Sequence, residues 1–231
     1  MKCIHHNDLD GHGAASIVAF YENNFNPEDY IEADYTSDFP FEKFSEGEKV
    51  YIVDYSFDSG SVGKLDKLLK ITDNIIWIDH HQSSLELLKK RIDLKSIKGN
   101  VFNGISGAAL TYMYLYSKNY EDIPLYLKYV SDFDCWHLKM PKVMEFKYAV
   151  EGNDYKVLDD IWKRFFYDTD GSFIEEIITF GTSAKKYVEH DFADYLEKYS
   201  YETTVDGLKC LAVNRRTFSA IFGDKINDYP L

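Results

Sequence analysis

Positive charge is scarce in this chain. Its 231 residues carry 26 Lys+Arg against 39 Asp+Glu, a formal charge of −13, and the arginines are Arg91, Arg164, Arg215 and Arg216 alone. A protein that grips long nucleic acid by neutralising phosphates needs a basic surface, so a long-duplex binder is excluded. A phosphate substrate is not, because divalent cations held in a site reverse the local field. Cysteine is scarce too. Cys3, Cys135 and Cys210 lie far apart and form no C-x-x-C pair, so they are expected to be reduced and mostly buried, in a cytoplasmic protein. Long apolar runs are absent. His5, His6, Asn7 and Asp8 interrupt the N-terminus before an apolar segment can build, and neither a signal peptide nor a membrane partner is expected.

What remains is a globular composition, 45% hydrophobic and 28% charged. The length suffices for one good core, or one domain plus part of another. Strands are predicted over 2–6, 30–34, 49–54 and 74–79. Helices are predicted over 11–22, with Gly13, Ala14 and Ala15 allowing close approach to a sheet, over 62–70, with Leu65, Leu68 and Leu69 inward, and from a Ser83 or Ser84 cap to about 91. Strands alternating with helices imply an α/β fold with a three-layer, mostly parallel, doubly wound sheet. From about residue 104 the pattern turns helical, with helices predicted over 104–115, from Pro124 toward 132, over 154–166 and over 172–199. A strand over 208–214, and after it a possible short helix, follow. The expected division is a core at 1–150, a helical extension and linker helix at 151–205, and the incomplete start of a second domain at 206–231.

Three of the strands end in ligand-type residues. Lys2-Cys3-Ile4 runs into His6-Asn7-Asp8-Leu9-Asp10-Gly11, Tyr51-Ile52-Val53 ends on Asp54, and Ile75-Ile76-Trp77-Ile78 runs into Asp79-His80-His81. An open α/β sheet presents ligands at its carboxyl edge in this way. Each residue also has a plainer reading. Asp8 or Asp10 can cap a helix start, and His81 can be a packed core histidine. Two neighbouring carboxylates without a nearby lysine or arginine nonetheless raise each other's pKa unless a cation joins them. A further acid lies in Val130-Ser131-Asp132-Phe133-Asp134-Cys135-Trp136, where Asp132 and Asp134 compete to close the site from the helical side.

The ordered set of H-x-D-x-D-G, an Asp after a central strand, a D-H-H triplet and a later Asp resembles the DHH phosphoesterase superfamily over about residues 1–140. That family includes RecJ-like exonucleases, short-oligoribonucleotide nucleases, cyclic-dinucleotide phosphodiesterases, polyphosphatases and family II inorganic pyrophosphatases. The segment Gly104-Ile105-Ser106-Gly107-Ala108-Ala109-Leu110 is similar to the small-residue helix start that follows D-H-H there. The resemblance implies that His6 and Asp8 hold one metal, that Asp10, His80 and Asp132 hold the other, and that Asp54 bridges them. His81 would face the scissile phosphate, with Asp79 orienting an imidazole. Imidazole and carboxylate ligands without thiolate suit two Mn²⁺ ions, or Mg²⁺. Such a pair, about 3.5–4 Å apart, activates a water for in-line attack.

Nuclease members of the family carry a C-terminal domain with a G-G-G-H-type motif for the nucleotide. No such motif occurs here, so weaker positioning of the remote parts of a substrate is expected. The expected activity is metal-dependent hydrolysis of phosphodiester or phosphoanhydride bonds in short oligonucleotides or small nucleotides, with self-association compatible with the sequence. The alternatives are a metal-bound binding or scaffold module and an inorganic pyro- or polyphosphatase. A haloacid-dehalogenase reading of Asp8-Leu9-Asp10 lacks the preceding apolar strand residues. Of the tryptophans, Trp77 and Trp162 follow core spacing, whereas Trp136 is a candidate for stacking a base.

Overall fold

The computed structural model describes residues 1–214. The expected short C-terminal helix, the closing Asp228–Leu231 and Arg215 and Arg216 lie outside the described residues. The fold is α/β. Its sheet is five-stranded and wholly parallel, in the order β2-β1-β3-β4-β5. The strands are β1 (Lys2–His6), β2 (Tyr30–Ala33), β3 (Val50–Val53), β4 (Ile75–Asp79) and β5 (Lys98–Val101), and the helices between them are α1 (Leu9–Glu22), α2 (Val62–Ile71) and α3 (Gln82–Lys90). There follow α4 (Gly107–Tyr116), α5 (Leu125–Asp134), α6 (Val143–Glu151), α7 (Asp160–Phe166), α8 (Ser172–Tyr199) and the antiparallel pair β6 (Ser200–Val205) and β7 (Leu208–Val213), joined at Asp206-Gly207.

Period-two alternation sorts the strand side chains to two faces, and both are covered, as parallel sheets require. On one face Ile4, Ile31, Ile52, Ile75 and Trp77 form a core with Leu65 and Leu68 of α2 and Leu87 of α3. On the other, α1 and α4 pack on each other and on the strands. Here the Tyr51 hydroxyl donates to Glu22 at the end of α1 (2.5 Å). Ala14, Ala15 and Gly13 lie on this side, and a Cβ on Gly13 would meet Ala108 of α4 and the Trp162 ring at 3.4 Å, so small residues set the α1–α4 spacing.

The chain divides into two compact units, Met1–Thr182 and Ser183–Leu231. The first extends past the boundary expected at residue 150, because the helical extension packs with the preceding helices. Phe165 of α7 stacks on Tyr126 of α5 at 5.2 Å and contacts Phe146 of α6 and Phe173 of α8. Only Asp160–Phe166 of the helix predicted over 154–166 is helical. Three elements escaped the sequence reading, among them β6, whose residues fall within the expected helical extension. Strand β5 is a short edge strand in which exposed Lys98 and Asn100 alternate with half-buried Gly99 and Val101, and α6 lies in a stretch of mixed polarity. Ser83 and Ser84 do not cap α3. His81 occupies that position, and the Ser84 hydroxyl turns inward to Asp79.

Candidate metal centre

The register puts the carboxyl ends of three strands level. His5 pairs with Val53, and Val53 pairs with Ile78. The next residue on each strand is therefore in one row: His6, Asp54 and Asp79. The chain passes from β1 to β2 on one side and returns to β3 on the other, so this row lies at the switch point where open α/β sheets form crevices.

At the end of β1, Asp8 caps α1. One of its carboxylate oxygens accepts the Gly11 N–H at 2.9 Å and the other lies 2.7 Å from His6 Nδ1. Burial opposes ionisation of Asp8, but these hydrogen bonds prevail and hold its pKa down to about 2. Gly11 has no room for a side chain, since a Cβ there would stand 2.3 Å from the His6 carbonyl oxygen. The capping reading of Asp8 holds, and the same carboxylate stands beside His6.

Asp10 sits differently from expectation. It is buried, and its two oxygens accept the N–H groups of Gly107 (2.5 Å) and Ala108 (3.0 Å) at the start of α4, where the helix dipole favours an anion. It therefore ties the N-termini of α1 and α4 together rather than standing free as a ligand, with one oxygen 3.7 Å from His80 Nε2. Burial and the Asp8 charge push its pKa up, against the pull of His80.

Asp54 ends β3 with a left-handed backbone, φ +51°. Such a conformation in a non-glycine residue costs on the order of 1 kcal/mol and is tolerated best by Asp and Asn. The carboxyl is 1% exposed, and its Oδ1, which accepts no hydrogen bond, lies 3.2 Å from His80 Nε2 and 4.0 Å from His81 Nδ1. Burial, followed by the charges of Asp10, Asp8, Asp134 and Asp79, raises its pKa well above the ordinary carboxylate value.

The two histidines divide. The His80 ring is the more buried, 14% exposed against 34% for His81. His81 Nδ1 lies 2.7 Å from Asp79, whose other oxygen accepts the Ser84 hydroxyl at 2.5 Å, while Ser84 Oγ accepts the Phe57 N–H. Desolvation pulls the His81 pKa down, but the hydrogen bond and charge of Asp79, with Asp10 and Asp8, raise it above its ordinary value. Asp79 thus orients the His81 ring.

The residue that closes the cluster from α5 is Asp134, not Asp132. Asp134 Oδ2 lies 3.4 Å from His80 Nε2, is shielded from solvent and accepts no hydrogen bond. Burial and the Asp10 and Asp8 charges push its pKa up to about 9. The Asp132 carboxylate instead accepts the N–H groups of Lys139 (3.0 Å) and Met140 (2.7 Å) and holds the loop after α5. Two residues apart near a helix end, the acids face different ways. The sequence offered a signal in the proximity of Asp134 to Cys135 and Trp136, but none that ranked the pair.

Three groups of side chains bring metal-type ligand atoms within 4.8 Å of one another: His6, Asp8 and Asp54; Asp54, His80 and His81; and His80, Asp134 and Cys135. Cys135, like the other cysteines, was expected to be reduced and mostly buried. It is half-buried at this cluster, and burial with the Asp134 and Asp10 charges pushes its pKa up to about 12. The donor set fits divalent cations. Two carboxylate oxygens that accept no hydrogen bond converge on one imidazole nitrogen, and a cation held among these crowded acids would relieve the cost of ionising them.

Comparison with known proteins gives no family. No family model matches the sequence, and no curated protein matches it. Among solved structures, the crystal structure of an uncharacterized protein from Helicobacter pylori G27 is similar at 12% identity, over 99% of this chain and 80% of that one, with a TM-score of 0.48. Likeness at that level carries no functional argument. Among the described residues no helix is long and apolar enough to cross a membrane.

Proposed function

We propose that this protein is a DHH-type, divalent-metal-dependent phosphoesterase that hydrolyses phosphodiester or phosphoanhydride bonds in small nucleotides or short oligonucleotides, in the reducing cytoplasm. The observation that carries the reading is the convergence of the unpartnered Asp54 Oδ1 and Asp134 Oδ2 on His80 Nε2, level with His6 and Asp8. His6, Asp8 and Asp54 hold one ion. His80 and Asp134 would hold a second, with Asp54 within reach of both sets, and Mn²⁺ or Mg²⁺ would suit these nitrogens and oxygens. Bound ions of this kind neutralise phosphoryl oxygens and acidify a coordinated water.

The remaining roles belong to the chain. Asp79 fixes His81 through Nδ1, which leaves the opposite ring nitrogen of this more exposed imidazole to donate a proton to a phosphoryl or leaving oxygen. The hydrogen bond and charge of Asp79 favour the protonated ring. Asp10 sets the α1–α4 geometry on which the cluster rests. A cleft of about 370 Å³, whose Ser56 and Ser83 lie two residues from Asp54 and His81 along the chain, is lined by Tyr35, Ser56, Asp58, Gly60, Ser61, Lys64 and Ser83. The hydroxyls suit a ribose, whereas the Asp58 carboxylate offsets the Lys64 ammonium toward a phosphate. Trp136, 46% exposed and two residues from Asp134, suits a stacked base.

The test is hydrolysis of bis-p-nitrophenyl phosphate and of a short oligoribonucleotide, with Mn²⁺ and with chelator. Activity restored by Mn²⁺ supports the reading, and preference for the oligoribonucleotide, reduced in Trp136→Ala, supports the substrate class. Bound metal without turnover on either substrate would instead make this a binding module.

A further inference from the structure

Ligation by nitrogen and oxygen alone leaves Cys135 without a role. Helix α5 ends at Asp134, the Cys135 N–H returns to the Ser131 carbonyl at 3.1 Å, and Trp136 reverses the chain with φ +56°. This turn brings the Cys135 sulfur, an Asp134 carboxylate oxygen and a His80 ring nitrogen within 4.8 Å of one another. Cys3, by contrast, is wholly buried in β1, and Cys210 lies on the β6–β7 hairpin.

A second observation points to a ligand at the same place. Asp54, 1% exposed, aims an oxygen without a hydrogen-bond partner at His80 Nε2, and Asp134 does the same with a solvent-shielded oxygen. Ligands on one tetrahedral ion, at about 2.0–2.3 Å from it, stand roughly 3.3–3.8 Å apart. His80 and Asp134 already have that separation, at 3.4 Å. The thiol needs a shift of no more than about 1 Å, within reach of a side-chain rotation.

We propose that Cys135 is a third ligand of the ion held by His80 and Asp134, and that this half of the centre takes a thiophilic divalent cation, Zn²⁺ or Co²⁺, in preference to Mn²⁺. The inference rests on the metal-binding part of the proposed function and changes its metal. A thiolate is soft and favours these ions over the hard Mg²⁺ and Mn²⁺, which carboxylates and imidazoles accept readily. As the sulfur–metal bond forms, the S–H bond breaks and its proton passes to solvent, with no change of oxidation state. Replacing the sulfur by a hydroxyl removes that preference and leaves the other ligands.

The experiment is a Co²⁺ titration of the chelator-treated full chain, followed by absorption. Ligand-field bands in the visible report any protein-bound cobalt, and a near-ultraviolet sulfur-to-cobalt charge-transfer band reports thiolate ligation. The wild-type protein is expected to show both. Cys135→Ser is expected to keep the visible bands, lose the charge-transfer band and lower the Zn²⁺-over-Mn²⁺ preference about tenfold, while Cys210→Ser keeps all three. Visible bands without charge transfer in the wild-type protein would overturn the role of Cys135 and leave the metal centre standing. A charge-transfer band that survives Cys135→Ser would overturn it as well. Absence of any bound cobalt would overturn both this inference and the metal centre itself.

Discussion

A side chain on Gly107 would collide with Asp54, its Cβ falling 2.6 Å from the Asp54 Cβ and 2.7 Å from Oδ1. The start of α4 therefore lies directly against the acid at the middle of the cluster, and Asp10 secures it there through the Gly107 and Ala108 N–H groups. Gly107→Ala is expected to weaken Mn²⁺ binding by an order of magnitude or more and to destabilise the fold by about 1–3 kcal/mol, as overpacking does. Calorimetric titration and thermal unfolding of that variant check both.

Asp132 and Asp134 separate by the kind of loss each causes. Asp134→Ala removes a raised-pKa carboxylate from a crowded acidic cluster, so metal affinity falls while the metal-free protein keeps or gains stability. Asp132→Ala leaves the Lys139 and Met140 N–H groups without their acceptor and costs roughly 1–3 kcal/mol, with metal stoichiometry unchanged. Denaturant melts of the two variants, with and without Mn²⁺, distinguish these outcomes.

The sequence exposed the ends of β1, β3 and β4 because each apolar run stops at an acid or imidazole, and a buried strand has few other reasons to end so. It left the α5 side open. Helical spacing fixes which residues share a face only within a helix, and Asp134 is the last residue of α5 with a left-handed turn at Trp136 beyond it. Which acid faces the cluster is decided by hydrogen bonds to Lys139 and Met140, residues that carry no motif. Asp10 was legible as part of the cluster but not as the anchor of α4, because that bond spans nearly a hundred residues. Strand β5 was missed for a related reason. It has one apolar residue, Val101, and pairing with Ile76–Asp79, not its own pattern, makes it a strand.

The crowded carboxylates predict a pH dependence. Asp54 and Asp134 carry raised pKa values in the folded chain, Asp134 up to about 9. Between the ordinary carboxylate range and that value the folded state holds protons that the unfolded state has released, so stability falls as pH rises. The raised His81 value acts in the same direction. His5, held down to about 4 by burial, opposes it only below its unfolded value of 6.5. The metal-free protein should therefore lose melting temperature from about pH 6.5 to pH 9, and saturating Mn²⁺ should flatten that slope. Scanning calorimetry with and without chelator measures it.

His81 is oriented by Asp79 and less buried than His80. His81→Ala should lower kcat by about 10²–10⁴-fold with Mn²⁺ affinity nearly intact, as for loss of a general acid. Ser84→Ala frees one Asp79 oxygen and should give a smaller loss in kcat with little change in KM. Steady-state kinetics on bis-p-nitrophenyl phosphate read both effects.

The central claim is a cation centre around Asp54, and calorimetric Mn²⁺ titration of the wild-type chain and of Asp54→Asn tests it most directly. The account predicts saturable binding of two ions per wild-type chain and loss of both in the variant, which keeps its fold by circular dichroism. Equal binding by the two proteins, or no saturable binding by the wild-type chain, would contradict it.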